Sequence, residues 1–268
     1  MIPIGDSPRL RSFPWVNYAL IAVNLAVFVY MLTLSTDLPG SRAIAAIEAR
    51  QAADSVCYGF LTSPTEVNHF FCEFGFQPRE FFDVLSGQSL VADPDRRTVL
   101  LTILTSQFIH GGWFHIVGNM LFLWVFGDDV EDRFGHAVYL VFYLSAGAMA
   151  ALVQGVIDPD NVVPVVGASG AVAGILGAYF LMFPRATVYV VIPFFFLIFV
   201  PLPVPAVLMI GLWFVQNLLA GFAELGTHAS PSAGVAWFAH IGGFVFGMAV
   251  ALLGWNAHQR PVRPPPFD

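Results

Sequence analysis

Apolar stretches long enough to cross a bilayer recur along this chain, and no other feature restricts its fold as tightly. Residues 15–34, 113–129, 136–157, 168–184, 205–222 and 235–255 each read as a mostly apolar run near the ~20 residues a helix needs to cross a hydrocarbon core about 30 Å thick. Lipid offers no partner to a backbone N–H or C=O, so runs of this length are expected to be helices with every backbone bond made internally. The expected fold class is an all-α membrane protein, a six-transmembrane-helix bundle. Composition agrees, because 57% of the residues are hydrophobic and only 11% charged, against about 45–50% and about 25% in soluble domains.

The segments between the runs set the organisation. Residues 1–14 form a short polar tail, 15–257 the six-span domain, and 258–268 a Pro/Arg-rich tail. Residues 35–98 form a long loop between spans one and two, rich in charges, prolines and aromatic pairs such as Phe70-Phe71 and Phe81-Phe82, and are expected to hold surface-lying pieces. The uncharged stretch 186–223 exceeds one span, but Pro193, Pro201, Pro203 and Pro205 argue against two regular helices there, since each removes a backbone donor. Residues 187–203 therefore read as an interfacial or re-entrant piece leading into the fifth span.

Arginine placement orients the bundle. Every basic residue is arginine, and with both termini cytoplasmic Arg9, Arg11, Arg133, Arg185, Arg260 and Arg263 all fall inside, as the positive-inside tendency requires. The outer loops 158–167 and 223–234 instead hold Asp158, Asp160 and Glu224. Loop 35–98 then lies outside, where Cys57 and Cys72, the only cysteines, form a candidate disulfide. The first run lacks a small-residue cleavage site and reads as a retained span. A net charge of −7 without a basic patch excludes nucleic acid as a partner.

Polar side chains inside spans are costly and so mark function until a structural partner is found. His115 and Asn119 share one helical face at the outer start of span two, Ser169 sits in Gly167-Ala168-Ser169-Gly170 at the outer start of span four, and His240 lies a turn or two into span six. Spans two, four and six run in the same direction, so these groups share one depth. A serine hydroxyl needs a neighbouring base, usually a neutral imidazole, to become a nucleophile. Ser169 and His240 supply that pair, with no carboxylate at their depth to make a triad. An attacked carbonyl needs donors worth roughly 3–4 kcal/mol each, for which the Ser169 amide, Asn119 and His115 are suited. Gly170, Gly174 and Gly177 on span four, with Gly243 and Gly247 on span six, form small-residue stripes that would let those helices meet closely. Glu131 and Arg133 read as an inner structural pair or cap, and His110 as a loop anchor.

The ordered set His115-Ile-Val-Gly-Asn119, Gly167-Ala-Ser169-Gly170 and Ala239-His240, with His110-Gly-Gly-Trp-Phe-His115 and Glu131-Asp-Arg133-Phe-Gly135, resembles the signature of the rhomboid family over about residues 98–255. The resemblance implies an intramembrane serine protease with nucleophile Ser169, base His240 and an oxyanion site using His115 and Asn119. It implies transmembrane protein substrates, cut near the outer membrane boundary, and a mobile fifth span beside an outer loop at about 222–237. Some members carry an aromatic residue four places after the nucleophile, packed on the histidine, where this chain has Ala173; the orientation of His240 must come from elsewhere.

Taken singly, Ser169 could cap its helix and either histidine could be a buried structural residue. A catalytically silent, helix-binding relative would keep the fold but would usually lack the serine or the histidine. A haem carrier ligated by His115 and His240 leaves Ser169 and Asn119 unexplained, and a transporter would need an acidic residue within a span. Hydrolysis requires only water, so no cofactor is expected, and no metal, because the scattered histidines lack carboxylate partners. The all-arginine chain with short inner loops suggests a bacterial plasma membrane. The oligomeric state is not encoded in any feature of the sequence.

Overall fold

The structure, a computed structural model, describes residues 2–8, 10–36, 65–88, 96–191, 201–227 and 235–255. Each of the six apolar runs is helical: α1 Trp15–Met31, α5 Trp113–Phe134, α6 His136–Ile157, α7 Ser169–Met182, α8 Ala206–Thr227 and α9 Trp237–Trp255. Between α1 and α5 lie the shorter helices α2 Glu66–Phe74, α3 Pro78–Ser86 and α4 Arg96–Thr105, the last running into a 3-10 turn at Ser106–Phe108. Among the described residues, α6, α8 and α9 have the length and apolarity to cross a membrane, and the α4–α5 pair, bent by 79°, adds a fourth candidate. Helices α1 and α7 are shorter apolar helices of 17 and 14 residues.

Helix α7 is the hub. Its residues Gly170 to Tyr179 are buried without interruption, and α9, α6 and α5 pack around it. That burial on every side explains why α7 needs no amphipathic pattern. The outer helices do the opposite and turn large apolar side chains outward, among them Val141, Val156, Leu219 and Leu253, as helices bathed in lipid do. Helix α8 packs chiefly on α9 and only lightly on α7.

Glycine makes the α7–α9 contact. A Cβ on Gly243 would collide with the Gly170 carbonyl oxygen, one on Gly247 with that of Gly174, and one on Gly177 with that of Phe244. Backbone therefore lies directly on backbone, the geometry small-residue stripes permit where no hydrophobic drive separates helix from lipid.

Two parts of the chain depart from the sequence-based expectation. Residues 187–203, expected as an interfacial or re-entrant piece, contain β2 Thr187–Val191 and the start of β3 Leu202–Pro205, paired antiparallel with Thr187 opposite Pro205 and Val190 opposite Leu202. Residues 1–14, expected as a tail, contain β1 Ile2–Asp6, which pairs antiparallel with β2. The prolines that rule out a regular helix are compatible with β3 because it is an edge strand. Helix α5 also continues past the expected residue 129 to Phe134, so Glu131 and Arg133 lie on the helix itself.

Glu131 closes the end of the bundle that holds the N-terminus of α1. It is fully buried, and its two oxygens accept from the Val16 and Asn17 amides at 3.0 and 2.6 Å while Oε1 also meets His136 Nδ1 at 2.5 Å. Helix α1 has no side-chain cap of its own; a carboxylate from α5 satisfies its first amides instead. Asn17 continues the tie by donating to the Leu123 carbonyl and accepting from Tyr139. In the segment between α1 and α5, Phe76 and Phe81 pack with Ala151 of α6 as a separate small core. Cys72 is buried on α2 and disulfide-bonded, whereas Cys57 lies outside the described residues.

Candidate active site

A cavity of about 780 Å³ opens at the end of the bundle where α5, α7 and α9 begin, and Ser169, His240, His115 and Asn119 all line it. Each reaches the wall by a different local device. Ser169 is the first residue of α7; Ala168 occupies the cap position and no side chain caps the helix, so the hydroxyl is not engaged in the capping role a lone serine there would usually fill. The approach to Ser169 runs through Gly167, whose φ of +127° favours glycine and whose amide donates to the Ser106 carbonyl at 2.9 Å.

His115 stands against that same turn. A Cβ on Gly167 would lie 2.6 Å from His115 Nε2 and 3.7 Å from Ser169 Oγ, so both atoms sit around one point that only glycine leaves open. The Gly111 amide donates to His115 Nδ1 at 3.4 Å, which leaves Nε2 to carry the ring proton. His110 is buried beneath, its ring centroid 5.0 Å from that of His115, and its Nε2 accepts from the Ala168 amide at 3.5 Å. Thus His110 anchors the serine turn.

Asn119, one turn beyond His115 on α5, is 93% buried, and its Nδ2 finds no acceptor among the described residues. Buried donors are almost always satisfied, and an orphan costs about 1–3 kcal/mol. An orphan donor on a cavity wall is therefore open to an acceptor brought by a ligand.

His240 is the fourth residue of α9. The Ala239 amide before it donates to Gln154 Oε1 of α6 at 3.2 Å, and Gly242 lets Val153 of α6 approach where a Cβ would be in the way. Its ring is held from α8: Nδ1 lies 2.7 Å from Asn217 Oδ1, and the Trp213 ring centroid is 5.9 Å away. Asn217 is missing from the residues selected by sequence, although the rule that selected Asn119, a polar side chain within an uncharged span, applies to it equally. Ala173, in place of the aromatic residue, lies at the α7–α9 contact, close to where a Cβ of Gly243 would sit.

The arrangement holds a serine hydroxyl, an imidazole and uncommitted N–H donors around one cavity at the end of a largely apolar bundle, the components acyl transfer requires. Residues 97–257, more than half of the chain, match the family described as Rhomboid domain. The chain is 34% identical over 174 residues to RHOMBOID-like protein 12, mitochondrial, of Arabidopsis thaliana, covering 58% of this chain and 46% of that protein. It is 30% identical over 175 residues to Rhomboid protein 1, mitochondrial, of Saccharomyces cerevisiae, covering 62% and 44%, and 42% identical over 72 residues to Rhomboid-like protein 11, chloroplastic, of Arabidopsis thaliana, covering 27% and 25%. The chain thus spans less than half the length of these relatives. Their mitochondrial and chloroplast names give no support to the bacterial plasma membrane suggested by the sequence. The family match, the helical bundle with candidate membrane spans and the motif order together establish that the chain belongs to the rhomboid family.

Proposed function

We propose that this chain is an intramembrane serine endopeptidase that cleaves single-span membrane proteins near the outer membrane boundary through a Ser169–His240 dyad. Its six apolar helices cross the bilayer, with both termini cytoplasmic and the loop between α1 and α5 extracytoplasmic. Ser169 Oγ attacks the peptide carbonyl carbon as its proton passes to His240 Nε2. The carbonyl electron pair moves onto oxygen, where Asn119 Nδ2–H, His115 Nε2–H and the Ser169 amide donate. Collapse breaks the C–N bond, His240 returns the proton to the leaving amine, and a water then hydrolyses the acyl-enzyme with the same base.

The observation that carries this reading is the orphan donor of Asn119 on the wall that Ser169 and His240 also line. A silent, helix-binding relative would have no need to keep a buried donor unpaired beside a serine and a histidine. The test is cleavage of a panel of fluorescent single-span substrates in liposomes by wild type, Ser169→Ala and His240→Ala. Cleavage by the wild type and its loss in both folded variants are expected. Cleavage that survives Ser169→Ala overturns the dyad, and an inactive, well-folded wild type moves the assignment to the silent helix-binding class.

A further inference from the structure

Proteins that use an imidazole as a base must fix which ring nitrogen carries the proton, because only the other can accept one. In triads a carboxylate does this, and among the described residues no carboxylate bonds to His240. The ring instead meets Asn217, which is 97% buried on α8 and makes two contacts: Nδ2 donates to the Trp213 carbonyl at 2.7 Å, and Oδ1 lies 2.7 Å from His240 Nδ1.

The first contact decides the second. A backbone carbonyl can only accept, so the amide nitrogen of Asn217 must face Trp213 and its oxygen must face the ring. An oxygen acceptor at 2.7 Å requires a proton on Nδ1, which leaves Nε2, on the far side of the ring from Asn217, with the free lone pair. Trp213, one turn before Asn217 on the same face of α8, sets its indole beside the same imidazole. Two side chains of one helix thus limit ring rotation and fix the tautomer.

We propose that Asn217 is the positioning residue of this enzyme, holding His240 as its Nδ1–H tautomer with Nε2 free to take the proton of Ser169. The assignment rests on the dyad reading above for its catalytic consequence, but the tautomer is independent of it. Asn217 touches neither substrate nor the reacting atoms; it acts through His240, and being neutral it orients the imidazolium without the charge a triad carboxylate contributes. It also replaces the aromatic packing that Ala173 does not supply.

The test combines histidine nitrogen NMR with kinetics on wild type, Asn217→Leu and Asn217→Asp in lipid nanodiscs. In wild type the His240 signals are expected at Nδ1–H, Nε2-unprotonated positions. Asn217→Leu, close in volume but without an acceptor, is expected to lose that single tautomer and to lower kcat about 10–100-fold with KM unchanged; Asn217→Asp, which restores an acceptor, is expected to recover at least tenfold. An Nε2–H tautomer in wild type overturns the proposal, as does Asn217→Leu with a kcat within twofold of wild type or with an unaltered His240 spectrum. A wild type that neither cleaves nor labels at Ser169 with a fluorophosphonate, yet shows the Nδ1–H tautomer and loses it in Asn217→Leu, sinks the protease reading while supporting the positioning role.

Discussion

Of the three buried polar residues of helix α5, Asn119, Asp129 and Glu131, the first and the last stand in opposite states. Glu131 and Asn119 lie about 18 Å apart along the axis at about 1.5 Å per residue. Both carboxylate oxygens of Glu131 are engaged, by the first amides of α1 and by His136, whereas the Asn119 amide nitrogen has no acceptor among the described residues. Desolvation acts alike on both ends, so the difference lies in what the neighbours supply. At one end another helix brings donors that need an acceptor, and the interaction stabilises the fold. At the other end a cavity takes the place of a partner, and the donor is left without an acceptor among the described residues. Burial of a polar group in a membrane protein thus says little until its partners and its place are known: Gln77 is likewise buried without a side-chain partner among the described residues but does not line the cavity, so an orphaned group marks a candidate site only where it also faces one.

That contrast predicts a separation of phenotypes. Asn119→Ala removes a donor that stabilises nothing in the resting protein, so kcat/KM should fall about 100–1,000-fold, worth about 3–4 kcal/mol in the transition state, with an unchanged unfolding midpoint. Paired cleavage assays and thermal melts decide it. A variant that melts earlier while cleaving normally would reverse the roles assigned to the two ends of α5.

Glu131→Gln gives the opposite pattern. The amide can accept at one position but presents N–H groups to donors at the other, so stability should drop by about 2–3 kcal/mol, read by denaturant titration in mild detergent. Activity per folded molecule should remain near wild type. Gly247→Ala probes the seam that joins the two ends, because its Cβ meets the Gly174 carbonyl oxygen. Helices α7 and α9 must then separate, with a stability loss of about 1–3 kcal/mol and, unlike the first two variants, a parallel loss of activity as Ser169 and His240 move apart.

Much of this was legible before any coordinates. Helix positions followed from apolar length alone, and the motif residues His115, Asn119, Ser169 and His240 do line one cavity, because helices running in one direction place their first turns at one level. What escaped was whatever depends on pairing between distant segments. Nothing local in Ile2–Asp6 announces a strand; it becomes one because β2 presents an open edge. Likewise the prolines near 201–205 excluded helix without specifying an edge strand. Asn217 carried a local signal, being polar inside an uncharged span, but its meaning required knowing that α8 faces His240.

The smallest expected effect extends the contrast beyond the membrane-spanning helices. Glu80 of α3 is buried beside the small aromatic core of Phe76 and Phe81, and burial pushes its carboxyl up from 4.5 to about 7. Like Asn119 it is a buried polar group, but it does not itself line the cavity, so its cost should appear in stability alone. Below about pH 4.5 the group is protonated in both folded and unfolded states and has no effect. Between about 4.5 and 7 the unfolded chain releases its proton first, so the α2–α3 region loses stability as pH rises, and above about 7 the loss is complete. Glu80→Gln removes the titration. Hydrogen exchange of α3 should therefore show wild type and variant alike near pH 4, with the variant more protected near pH 8 by about 1–2 kcal/mol after allowance for solvent screening, and cleavage unaffected. Equal protection at both pH values would mean that the Glu80 carboxylate finds a compensating partner, and that α5 alone shows how burial without a partner separates chemistry from structure.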